Sequence, residues 1–155
     1  LMKKLILIIT IIIIIIAGGL GAWWWLWEKE VIPVTNTENF GNELEKKDLI
    51  RIISPRPNQT VQSPLTITGE ARGYWFFEAS FPVVLTNWDG LIIGQGIAQA
   101  KSDWMVTDFV PFESTLIFAA DKNAYSNRGT LILRKDNPSG LSEHDDALEI
   151  PIVFE

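Results

Sequence analysis

The stretch Leu65-Thr66-Ile67-Thr68-Gly69-Glu70-Ala71-Arg72 alternates without a break, with Leu65, Ile67, Gly69 and Ala71 on one side and Thr66, Thr68, Glu70 and Arg72 on the other. A period of two is the signature of a strand with one buried and one wet face. Phe81, Val83 and Leu85 repeat it, and Asn87-Trp88-Asp89-Gly90 then gives a hairpin signal. Leu91 to Ile93 and Ile97 to Ala100 form the returning strand, with Gly94 and Gly96 pointing to a bulge. Ile50 and Ile52 alternate ahead of the proline-dense turn Ser54-Pro55-Arg56-Pro57-Asn58. Leu116 with Phe118, Leu131 with Leu133, and the run Leu148, Ile150, Ile152, Phe154 complete a set of seven strands.

Strands at this spacing, with no amphipathic helical stripe after residue 48, predict an all-β fold, a two-sheet sandwich over residues 49–155. Pro151 has no N–H, so the last strand is either an edge or turns that position away from its partner. The chain has no cysteine, so this domain must be held by packing alone. A domain of this size buries roughly 65% of its unfolded surface, enough for one core without a staple.

The N-terminal region reads differently. Leu5 to Trp27 are 23 consecutive uncharged residues, with Thr10 the one polar side chain before the closing Trp23-Trp24-Trp25-Leu26-Trp27. As a helix this run spans about 34 Å, enough for a hydrocarbon core of about 30 Å. A cleaved signal peptide has a shorter apolar region and no reason for four tryptophans, which suit an interfacial belt. Lys3 and Lys4 precede the run, so the N-terminus is expected in the cytoplasm and the rest outside it. The organisation expected is therefore a single-pass transmembrane anchor (1–27), a polar, flexible linker (28–48) and the sandwich (49–155). A single helical turn is expected near Glu43 to Lys47.

The most distinctive stretch is Gly69 to Pro82, in which Tyr74, Trp75, Phe76 and Phe77 lie between Arg72 and Glu78. Further knots follow at Ser102-Asp103-Trp104-Met105, Phe109-Val110-Pro111-Phe112 and Lys135-Asp136-Asn137-Pro138-Ser139-Gly140. Taken with Ile53-Ser54-Pro55, Ser63-Pro64-Leu65 and the Asp89-Gly90 hairpin, these motifs resemble the immunoglobulin-like domain of bacterial spore germination proteins. That module is found at the C-terminus of GerM-type envelope lipoproteins. The resemblance implies an immunoglobulin-like sandwich at the cell envelope. It does not extend to their second module or their lipidated cysteine, and it implies no role in sporulation.

Trp75, Trp88 and Trp104 have two readings. They form an aromatic platform for the sugars of a wall polymer, with Glu70, Arg72, Glu78 and Asp103 donating and accepting hydrogen bonds, or they fill the core and its open end. Core filling is favoured, with Trp88, in its hairpin, the most exposed of the three. Arg72 is expected to brace its loop through Glu70 or Glu78, because a guanidinium fork fits a carboxylate. Two carboxylates alone do not make a glycosidase, and one histidine, His144, does not make a zinc site. There is no phosphate loop and no nucleophile or metalloprotease motif, so neither enzyme activity nor a cofactor or metal is expected. Residues 49–155 carry 8 Lys and Arg against 13 Asp and Glu, which argues against nucleic acid.

The function expected is a non-catalytic binding or scaffolding role, with the bilayer engaged through residues 5–27 and an envelope protein or cell-wall polymer as partner. The alternative is a carbohydrate-binding module that recognises wall glycan through exposed aromatics.

Overall fold

Eight strands bury alternate residues against one another in a computed structural model that describes residues 38–155. They are β1 (Ile50–Ser54), β2 (Thr60–Val61), β3 (Leu65–Arg72), β4 (Ser80–Asn87), β5 (Ile92–Ala100), β6 (Phe109–Leu116), β7 (Arg128–Arg134) and β8 (Ala147–Phe154). The expected membrane segment, 1–27, and residues 28–37 of the expected linker lie outside the described residues. Among the described residues no helix is long and apolar enough to cross a membrane.

The strands follow the order β1-β3-β6-β5-β4-β7-β8-β2 in one curled sheet rather than two separate ones. The two halves are joined where β5 meets β6, through Gln99 opposite Glu113 and Ala100 opposite Phe112. Curling brings the apolar faces together, so Ile50, Ile67, Phe81, Leu85, Phe112, Leu131, Leu148 and Ile150 share one core. Phe81 lies edge-on to Phe112 at 4.9 Å between ring centroids, and 5.2 Å from Phe76. Ser114, buried within this core, donates its hydroxyl to the Ile97 carbonyl at 3.0 Å. That bond removes the cost of an unpaired polar group.

The expected alternation appears in the burial of β3, where every second residue from Leu65 to Ala71 is buried. The β4–β5 hairpin turns at the expected Asn87-Trp88-Asp89-Gly90, with Gly90 at φ +79°. Opposite Leu85 and Thr86 the ladder slips past Ile93, so the bulge adjoins Gly94. Two strands depart from expectation. The eighth, β2, is two residues long and pairs in parallel with Val153 and Phe154, too short for any alternation to register. And β6 covers Phe109 to Leu116, leaving out Phe118.

The free edge of β8 is closed by segments drawn from elsewhere. Asn42 copies a neighbouring strand: its N–H donates to the Glu149 carbonyl (3.1 Å) and its side-chain amide to the Ala147 carbonyl (3.0 Å). Its Oδ1 accepts the Glu149 N–H at 2.8 Å. Further along, Asn58 N–H donates to the Pro151 carbonyl at 2.7 Å and Val153 N–H to the Gln59 carbonyl at 3.1 Å. Within a strand the N and C=O of one residue point the same way, so the donor that Pro151 lacks falls on this free edge. That is how a proline sits in a strand with neighbours on both sides.

The helical turn α1 (Glu43–Lys46) follows Asn42 and touches both β8 and β1. Arg56 pairs with Glu43 at 2.7 Å, and Lys46 pairs with Asp146. The residues from Asn42 to Lys46, read from the sequence as part of a flexible linker, are thus docked along the line where the two outer edges of the sheet approach.

Candidate functional site

β4 runs about 23 Å at about 3.3 Å per residue, and the candidate residues sit at its two ends. One end is built from the β3–β4 loop (73–79) and the β5–β6 loop (101–108). Gly73 N–H donates to the Asp108 carbonyl at 3.2 Å, and Ala100 N–H to the Ala79 carbonyl at 2.8 Å. The loops meet so closely that a Cβ on Gly73 would fall 1.8 Å from the Val106 carbonyl oxygen.

Trp75 lies beneath this end with none of its surface exposed, and its indole N–H has no hydrogen-bond partner among the described residues. Its carbonyl accepts the Asp136 N–H at 3.0 Å, tying in the turn before β8. Trp104 is half-buried against the same core. Tyr74, Phe77, Met105 and Val106 project outward instead, Met105 being 77% exposed. Around them stand the exposed carboxylates Glu78, Asp103 and Asp108. Asp103 holds its loop by accepting the Met105 N–H at 3.0 Å.

The β3–β4 loop ends in a tight turn. Phe77 and Ser80 exchange both backbone hydrogen bonds at 3.0 Å, and between them Glu78 and Ala79 have φ of +48° and +61°. Two positive φ values in a two-residue loop are those of a type I′ turn, normally occupied by Asn-Gly. The Glu78-Ala79 pair holds that geometry at a conformational cost.

Arg72 does brace its loop, but by partners other than those expected. Its Nε donates to the Asp48 carbonyl (3.1 Å) and its Nη1 to the Thr107 carbonyl (3.2 Å), with the guanidinium 4.1 Å from the Phe109 ring centroid. Glu70 is taken by Arg51 at 3.0 Å, and Arg51 also lies 3.9 Å from the Phe109 centroid. Phe109 stands directly opposite Arg72 across the β3–β6 ladder, a pairing no local pattern announces.

Trp88 occupies the other end, 46% exposed. Its ring centroid is 5.5 Å from that of Tyr125 at 51°, and together they stand over a cleft of about 540 Å³. Arg72, Trp75, Glu78, Asp103 and Trp104 therefore gather at one end and Trp88 stands apart, so the three tryptophans make no common platform. Tyr125 escaped the sequence reading because Ala124-Tyr125-Ser126-Asn127 has no period and no motif. Among the described residues no group of three or more His, Asp or Glu side chains is placed to hold a metal ion.

Eight strands curled around one cysteine-free core define an all-β domain. Residues 49–142 match Gmad2, the immunoglobulin-like domain of bacterial spore germination, and the chain belongs to that family. It is not a known enzyme family. No curated protein and no solved structure matches the chain.

Proposed function

We propose that the protein is a non-catalytic binding or scaffolding module, held at the outer face of a bacterial membrane by residues 5–27. Its partner surface is the end formed by the β3–β4 and β5–β6 loops. The observation that carries this reading is the exposure of Tyr74, Phe77, Met105 and Val106 on two loops locked together by backbone hydrogen bonds. Aromatic residues and methionine are enriched in protein interfaces, and a rigid surface loses little entropy on binding. The rim carboxylates Glu78, Asp103 and Asp108 fit a partner with basic residues around an apolar centre. The uncharged, almost wholly apolar run from Leu5 to Trp27 and the flanking lysines support the anchor and its orientation.

A photo-crosslinking residue placed at Met105 of the full-length protein in intact cells tests the surface. A discrete adduct with another envelope protein is the expected result, with none from Ile97 on the outer face of β5. An adduct pattern identical at both positions, or none at Met105, defeats the reading. Protease added to wall-stripped cells is expected to digest residues 38–155; protection of that region defeats the orientation.

A further inference from the structure

We propose that the cleft beneath Trp88 and Tyr125 is a binding site for a neutral saccharide, separate from the partner surface and at the opposite end of the sheet. The cleft is built rather than incidental. Asn87 Oδ1 accepts the N–H groups of Asp89 (3.0 Å) and Leu91 (2.8 Å), so the hairpin carrying Trp88 has a fixed course. Phe154 lines the floor, where it packs on Phe118 at 5.5 Å. On the facing segment, Asp121 Oδ1 accepts the Asn123 N–H at 2.8 Å, and Asn127 donates its amide to the Phe154 carbonyl at 3.2 Å.

These bonds leave groups over for a ligand. Asp121 keeps its second carboxylate oxygen, Asn127 its amide oxygen, and Lys122 and Tyr125 make no side-chain hydrogen bond among the described residues. A pyranose has faces of C–H groups and a rim of hydroxyls. It suits a pair of rings with apolar faces and polar tips, bordered by a carboxylate, an ammonium and an amide. The volume of about 540 Å³ lies within the range of small-molecule sites, about 300 to 1,000 Å³. Asp121 and Glu155 against Lys122 leave no excess of positive charge, so the site favours a neutral sugar over an anionic polymer.

Saturation-transfer NMR on the full-length chain in phospholipid nanodiscs, with an N-acetylglucosamine tetramer as probe, tests the assignment. Transfer to the sugar is expected at millimolar concentration. Binding should weaken at least tenfold in Trp88→Ala and severalfold in Tyr125→Ala, while Ile97→Ser on the outer face of β5 leaves it unchanged. Tyr125 is 92% exposed, so its removal spares the core and gives a readout independent of any damage at Trp88. No transfer, transfer undiminished from the wild-type level in Trp88→Ala or in Tyr125→Ala, or stronger binding of an oligogalacturonate overturns the proposal. None of these results bears on crosslinks from Met105, so the two readings fail separately.

Discussion

A Cβ on Gly41 would stand 1.9 Å from the carbonyl oxygen of Glu149, and Gly41 has a φ of +65°. Only a glycine lets the chain pass this close to β8 and deliver Asn42 to its edge. Gly41→Ala is therefore expected to lower stability by about 1–3 kcal/mol through strain and displacement. Gly90→Ala is the control: φ there is +79° but nothing lies within 4 Å, so it carries only the conformational part. Denaturant midpoints of the two variants should differ, with Gly41→Ala the lower; equal midpoints would mean that the docking adds nothing.

The docked segment also bears on where the domain begins. A fragment of residues 38–155 keeps Asn42 on β8 and the Arg56–Glu43 pair, whereas 49–155 loses both and leaves the Ala147 and Glu149 groups at a bare edge. Exposed strand edges template association. The shorter fragment is expected to melt at lower temperature and to aggregate. Identical melting curves for the two fragments would refute this.

Glu78 and Ala79 occupy positions suited to asparagine and glycine. Replacing both, as Glu78→Asn with Ala79→Gly, is expected to raise stability by about 1 kcal/mol as the left-handed strain is relieved. Part of that relief is offset by the greater freedom of glycine in the unfolded chain. The melting temperature of the double variant is the measurement, and a fall would show the turn to be unstrained.

Arg72 holds two carbonyls from different loops and the face of Phe109. A lysine cannot span both carbonyls with a planar fork, so Arg72→Lys and Arg72→Ala should each cost about 1–2 kcal/mol. If Arg72→Ala keeps wild-type stability yet abolishes the Met105 crosslink, Arg72 is a contact residue and not a brace.

The family match ends at residue 142, but β8 lies between β7 and β2 and buries Leu148, Ile150, Ile152 and Phe154. Each such side chain contributes about 1.5–3 kcal/mol, so together they supply about 6–12 kcal/mol, comparable to the whole stability of a typical domain, about 5–15 kcal/mol. A chain stopped after Asp146 should show no cooperative unfolding transition by circular dichroism.

Much of the sheet was readable from alternation because burial of one face imposes a local period on each strand. Most of β6 was not: of the strand expected at Leu116 and Phe118 only Leu116 belongs to it, since Phe109-Val110-Pro111-Phe112 offers no polar contrast and Pro111 argues against a ladder. It pairs there because Pro111 stands opposite Glu70, with Val110 and Phe112 turned into the core. Asn42 was hidden for another reason. A polar residue among charges looks like linker until the edge it completes is brought beside it by the folding of residues far along the chain.

Taken alone, the amino-acid order determined the strand class, the hairpin at Asp89-Gly90 and the burial of alternate positions, because each depends on near neighbours. The tertiary structure decided which aromatic residues face water, how Arg72 is held, and that Trp88 meets Tyr125 while Trp75 and Trp104 lie a strand's length away. Those outcomes depend on which strand ends the curled sheet brings together, and no local pattern encodes the distance between them.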